Sequence, residues 1–209
     1  MRQVNRYPSV DHLHAAAKKR LPKFSYDYVD GGTGPEVGRA LNRDAIEAVK
    51  MTPRYVVERK PVEMGTELFG RKYAKPFGIA PMGLASLQWP KAELHFARAG
   101  KAADIPVTLS TACCVDIEEF AAVAGDNAWY QLYPPKDEEV NDDLIKRASD
   151  AGCKALMVTV DVPARGWRPR DMYNGLAVPP RISAATIWNA AMCPHWSLAT
   201  LASGLPHFK

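Results

Sequence analysis

The residues of this sequence best suited to chemistry gather in a few short stretches. The stretch K-A-L-M-V-T-V-D-V-P-A-R-G-W-R-P-R-D, Lys154 to Asp171, delivers Thr159, Asp161, Arg165, Arg168 and Arg170 to the end of an apolar run. A planar guanidinium fork suits a carboxylate or a phosphate. Surface ion pairs are the plain alternative for these arginines. Gln131 and Tyr133 close W-Y-Q-L-Y, Ser110 and Thr111 follow V-T-L, and Tyr26 and Tyr28 sit in S-Y-D-Y. Hydroxyl, amide and phenol groups of this kind orient a polar ligand. Gly31, Gly32 and Gly34 could pass for a phosphate loop, but no strand precedes them and no Lys-Ser/Thr follows, so that reading is weak.

The elements that must position these groups follow a repeating pattern. Apolar strands are expected at Phe77–Ala80, Pro106–Leu109, Asn127–Tyr133 and Lys154–Asp161, the last buried on both faces. Helices are expected between them, over Lys91–Ala103, Ile117–Ala124 and Asp137–Ala151. The second is closed by Gly125, and the third is favoured by an acidic first turn and by Gly152. Strands alternating with helices through short loops imply right-handed βαβ units and a parallel sheet. Each strand carries its polar groups at its C-terminal end: Pro81-Met82-Gly83, Ser110, Gln131 with Tyr133, and Thr159 with Asp161. Parallel α/β folds bind ligands at that edge.

Upstream, Asp11 is read as the cap of a helix over His12–Leu21, and a second helix over Asn42–Lys50. Val62–Leu68 and Tyr73–Phe77 flank F-G-R-K as a hairpin. Downstream, Ile182–Met192 and Trp196–Leu201 read as two short amphipathic helices. Trp188 and Trp196 would suit a membrane interface or a protein surface; a loop folded back on the chain is the alternative. The division expected is residues 1–75 as helices and hairpin, 76–178 as four βα units, and 179–209 as a loop after strand 4.

Composition excludes several function classes. The chain has 209 residues, 47% hydrophobic and 24% charged, which allows one sizeable core. A net charge of +4 without an aromatic-basic stripe does not argue for nucleic acid. Cys113, Cys114, Cys153 and Cys193 lack zinc-ligand spacing and read as reduced thiols, so no metal is expected. His195 and His207 read as ordinary loop histidines. No window approaches the ~18 apolar residues of a membrane-spanning helix.

L-P-K-F-S-Y-D-Y-V-D-G-G, F-G-I-A-P-M-G-L-A, L-S-T-A, W-Y-Q-L-Y, V-T-V-D-V-P and R-P-R-D-M-Y-N, in this order, resemble the FMN-dependent α-hydroxy acid dehydrogenase/oxidase family. The resemblance implies an α/β fold, the N-terminal half of a (β/α)8 TIM barrel with FMN at its C-terminal mouth. It implies that Tyr28 and Arg168 bind the substrate carboxylate and that Tyr133 is catalytic, bonding the substrate hydroxyl or the developing carbonyl oxygen. Gly83 and Ala112 would face the substrate side chain. Pro81, Met82 and Gly83 would line the flavin, and Ser110, Gln131 and Thr159 would bond its ring. Asp161 would steady the region of Thr159 or the family's neighbouring histidine.

Two departures from the family pattern stand out. Met82 stands where the family commonly carries threonine. The family's catalytic histidine, flavin lysine, second arginine and phosphate-binding glycines have no counterpart in this sequence, and a full barrel takes about 250 residues. The chain is therefore expected to be one piece of a larger enzyme, partnered by the C-terminal half of the same barrel. Further expectations are a homotetramer, a small 2-hydroxy acid substrate with mandelate or lactate favoured over glycolate, and a cytoplasmic location with peripheral contact to the inner membrane face. The rivals are a non-catalytic half-barrel acting as a binding module and a plain scaffold.

Overall fold

The structure is a computed structural model, and it describes residues 6–58, 60–162, 166–176 and 183–206. Contacts divide the chain into two units. One comprises Met1–Arg59 with Ala164–Ala202, the other Lys60–Pro163 with Ser203–Lys209.

The first unit is helical among its described residues. Helix α1 spans Val10–Arg20, α2 Lys23–Asp30 and α3 Val37–Ala48. The cap of α1 is Ser9, whose hydroxyl accepts from the His12 N–H, and not Asp11, which lies in the first turn. Helix α2 escaped the sequence reading; Pro22 starts it, and it buries Phe24, Ser25, Tyr26 and Asp27 in succession. Helix α3 begins five residues before the expected Asn42, at a left-handed Glu36.

Elements of the second unit follow the expected alternation. Strands β1, Thr66–Leu68, and β2, Arg71–Tyr73, form an antiparallel hairpin. Its turn residues Phe69 and Gly70 both have positive φ, 51° and 75°. That is the twist two-residue hairpins prefer. Phe69 meets Trp129 edge-on at 5.4 Å, which offsets the unusual backbone. Then come α4, Ala85–Gln88; α5, Ala92–Ala103; β3, Val107–Ser110; α6, Ile117–Ala124; β4, Ala128–Leu132; α7, Glu138–Asp150; and β5, Leu156–Val158. Strands β3, β4 and β5 lie side by side in that order, all parallel.

Two strand expectations need correction. Phe77–Ala80 contributes only a bridge, Ile79 with Val107, rather than a strand. Gly78 lets the chain approach this closely, since a Cβ there would stand 2.7 Å from the Pro106 oxygen. Strand β5 is not buried on both faces. Leu156, Met157 and Val158 are 43%, 39% and 46% exposed, and none of them belongs to the packed core that covers β3 and β4. The core lies under β3 and β4: Val107, Leu109, Ala128, Tyr130 and Leu132 pack on Leu94 and Ala97 of α5 and Phe120 and Ala121 of α6.

The remaining helices, α8 (Pro169–Tyr173), α9 (Ala184–Ala191) and α10 (Pro194–Ser203), contribute to the first unit. Trp196 is not an exposed interfacial group. It is 6% exposed and meets Phe24 edge-on at 5.7 Å. Trp188 is exposed. Arg165 lies outside the described residues.

Candidate active site

Strands β3, β4 and β5 carry a row of polar side chains at their C-terminal ends. The Ser110 hydroxyl donates to Gln131 Oε1 at 2.9 Å, and Gln131 Nε2 donates to Thr159 Oγ1 at 2.8 Å. Ser110 and Gln131 are each 2% exposed. The parallel register pairs Ser110 with Gln131, which puts the two on the same level. Thr159 keeps its hydroxyl hydrogen free to donate onward. Buried polar groups on otherwise apolar strands are costly unless bonded. Here they bond one another in a fixed donor sense across three strands.

The loops after the strands converge beside this row. The Leu84 N–H donates to the Ala112 carbonyl at 2.7 Å, joining the loop of Pro81, Met82 and Gly83 to the loop after β3. The Ala112 N–H donates to the Ser110 hydroxyl at 3.2 Å. Pro81 and Gly83 are half-buried and Met82 is exposed. Tyr133 is 44% exposed, and its N–H donates to Thr111 Oγ1 at 3.0 Å. The Thr111 hydroxyl in turn donates to the Gln131 carbonyl at 2.6 Å. Asp161 is exposed, and the hydroxyl of Thr159 is engaged by Gln131 instead.

Sequence reasoning missed one residue of this edge, Glu93, and gave Thr111 no role apart from Ser110. Thr111 sets the backbone that presents Tyr133. Glu93, 3% exposed at the start of α5, accepts from the Ser86 N–H and hydroxyl and from the Cys114 N–H. It thereby ties the start of α4 to the loop after β3. Its position in K-A-E-L gave no signal, since a glutamate in a first helical turn reads as a solvated charge. Burial pushes the thiols nearby up, Cys113 to about 11 and Cys114 to about 12, which disfavours their thiolate forms.

Tyr28 and Arg168 meet in the helical unit. The Arg168 guanidinium lies 5.1 Å over the Tyr28 ring. Its Nη2 donates to the carbonyls of Tyr28 and Gly31, at the C-terminal end of α2. A cation is favoured there by the orphan carbonyls and the helix dipole. Nε lies 2.7 Å from Asp171 Oδ2 but off the N–H axis; neither Arg168 Nε nor Asp171 Oδ1 finds a hydrogen-bond partner among the described residues. Burial raises the Asp171 carboxyl, against the pull of Arg168. Arg168 is thus partly spent on the protein, and Nη1 is the nitrogen these contacts leave over. The glycine turn is no phosphate loop: the Gly34 N–H donates to the Trp167 carbonyl at 2.8 Å, docking the arginine segment.

The family model for FMN-dependent dehydrogenases matches residues 17–207. The chain belongs to the FMN-dependent dehydrogenase family. FMN is the cofactor of that family. The chain is 42% identical to a 4-hydroxymandelate oxidase of Amycolatopsis orientalis, over 86% of this chain and 50% of that protein. It is 36% identical to an L-lactate dehydrogenase of Caulobacter vibrioides, over 95% of this chain and 52% of that one. A crystal structure of a monotopic membrane protein, (S)-mandelate dehydrogenase, superposes with a TM-score of 0.88 at 34% identity. That match covers 95% of this chain and 53% of the other. The chain spans about half the length of the relatives it matches.

Proposed function

We propose that this chain is the N-terminal half of a (β/α)8 flavoenzyme that oxidises an L-2-hydroxy acid to a 2-oxo acid. The observation that carries the reading is the Ser110–Gln131–Thr159 row. It fits a flat heterocycle with alternating donors and acceptors, and Pro81, Met82 and Gly83 supply a neighbouring wall. FMN, when bound, supplies the redox chemistry. Tyr133 would bond the substrate hydroxyl, and Tyr28 and Arg168 its carboxylate. Gly83 and Ala112 are both small, and a substrate side chain facing them would have room, which favours a mandelate-like group, or lactate, over glycolate. A methylene in such a pocket discriminates by only ~1–3 kcal/mol. A higher kcat/KM for glycolate than for mandelate would remove this preference.

A C-terminal half, on a second chain or as further sequence, would supply the general base. The exposed side chains of β5 support this partner, as do Val37, Leu41 and Ile46 on α3, all more than half exposed. The test is an intact-mass spectrum beside a visible absorption spectrum of the purified protein. Flavin bands with a complementing polypeptide support the reading. A single colourless 23.0 kDa species refutes it.

A peripheral membrane contact is a second element of the proposal. Ile187, Trp188, Met192, Leu198 and Leu201 are each at least 60% exposed on α9 and α10, and a similar structure is monotopic. No helix among the described residues is long and apolar enough to cross a membrane. Co-sedimentation with anionic vesicles tests the contact. The homotetramer rests on the resemblance and is tested by mass photometry.

A further inference from the structure

We propose that Arg170 is a positioning residue that sets the Tyr28–Arg168 pair; the inference rests on the reading that this pair takes the substrate carboxylate. Arg170 uses every nitrogen of its fork. Nη2 donates to Glu36 Oε2 and Nε lies against Glu36 Oε1, both at 2.6 Å, while Nη1 donates to Asp30 Oδ2 at 2.7 Å. One side chain on α8 is therefore tied to the last residue of α2 and to the cap of α3. Arg168 stands two residues before it, and Tyr28 two residues before Asp30. The clamp ties together the two backbone segments that carry the members of the pair.

Two further observations show that the local backbone is shaped around this clamp. Glu36 holds a left-handed conformation, φ 61° and ψ 19°, which a residue with a side chain adopts only where its surroundings insist. Glycine or asparagine would sit there more easily, yet the position carries the carboxylate that Arg170 and Arg39 grip. Beneath the Arg170 stem, Gly31 leaves no room: a Cβ there would stand 3.3 Å from Arg170 Cδ and 2.5 Å from the Asp27 oxygen.

The test uses the flavin-loaded enzyme with its complementing half. Arg170→Ala should raise KM for the hydroxy acid about tenfold while kcat changes less than about twofold, since ground-state carboxylate binding is what the clamp orders. Arg170→Lys should recover only part of the loss, lacking the fork. Glu36→Gly frees the backbone while removing the anchor. It should raise KM in the same direction without lowering thermal stability, a split that a merely structural role would not give. If Arg170→Ala fails to fold, Glu36→Gly carries the test. An unchanged KM in either variant, or an Arg170→Met variant equal to wild type, overturns the proposal. A wild-type enzyme that turns over no 2-hydroxy acid sinks the functional reading itself, which an active wild type with indifferent variants does not.

Discussion

Gln131→Met is the most informative single change to the strand-edge row. Methionine nearly conserves volume and leaves the core under β4 filled. It removes the acceptor of the Ser110 hydroxyl and the donor to Thr159. Ser110 still accepts from the Ala112 N–H, so only its hydroxyl hydrogen is orphaned. A buried group left unsatisfied costs ~1–3 kcal/mol. Thr159 is half-buried, and water can replace its lost partner at little cost. Removing a buried amide from apolar surroundings returns part of the loss. The net destabilisation expected is therefore about 1 kcal/mol in urea unfolding. If the row holds a flavin ring, FMN affinity should fall further than stability does. Two net hydrogen bonds at about 1 kcal/mol each correspond to a roughly 30-fold weaker Kd. Fluorescence titration of FMN into the assembled protein measures this. An FMN affinity unchanged within about twofold, beside the expected loss of stability, would show the row to be core structure alone.

Other perturbations test the fold around the site. Gly100→Ala should cost ~1–3 kcal/mol by chemical denaturation, because its Cβ would stand 2.8 Å from Val107 Cβ in the closed core. Trp196→Ala should lose about 3–5 kcal/mol, whereas Trp188→Ala should stay within about 0.5; equal effects would mean that the burial difference is misread. Bidentate bonds from Arg147 hold the Glu118 carboxyl at about 2, below its ordinary 4.5. A depressed carboxylate stabilises above its unfolded pKa and loses that contribution as pH falls through the folded one. The wild-type advantage over Glu118→Gln should therefore be present at neutral pH and vanish between pH 4.5 and about 2. The Glu118 side chain is 53% exposed, so screening limits it to about 0.5 kcal/mol. A pH-independent difference in a urea series would contradict the assignment.

The parallel alternation was legible because each helix and strand carried its own period and its own stops. Gly125 closes α6 with φ 60°, and Asp137 caps α7 by accepting from the N–H groups of Glu139 and Val140. Strand-end position made Ser110 and Gln131 legible as neighbours, and the register that pairs them brings them level, whereas Thr159 stands two residues beyond Met157, the register partner of Gln131, and joins the row only through its hydroxyl. Burial was less legible. The run Ala155–Val160 is as apolar as any core strand, but apolarity states what a strand would bury, not what is present to cover it. Helix α2 was invisible because its buried residues are consecutive rather than spaced by 3.6. The sequence leaves Arg170 open between an anion-binding cluster and surface ion pairs, because the three carboxylates that face it come from 134 to 143 residues earlier, and no local pattern announces such a pairing.

These differences bear on how robust each part of the row is. Ser110 and Gln131 stand on strands whose apolar side chains are nearly all buried, and their geometry is fixed by the core. Thr159 follows a strand whose side chains are exposed at every position, and what joins it to the others is the Gln131 amide and the bond from its own N–H to the Leu132 carbonyl at 3.0 Å. Local stability follows buried apolar contact. Thr159 is therefore the member of the row most dependent on whatever covers β5, and a partner that pairs with the edge of β5 left unpaired among the described residues would order this threonine, proposed above to bond the flavin, as it extends the sheet. Assembly and cofactor binding are in that case two readings of one equilibrium, linked by mass action: FMN should tighten the hold on the partner by the same factor by which the partner tightens the hold on FMN.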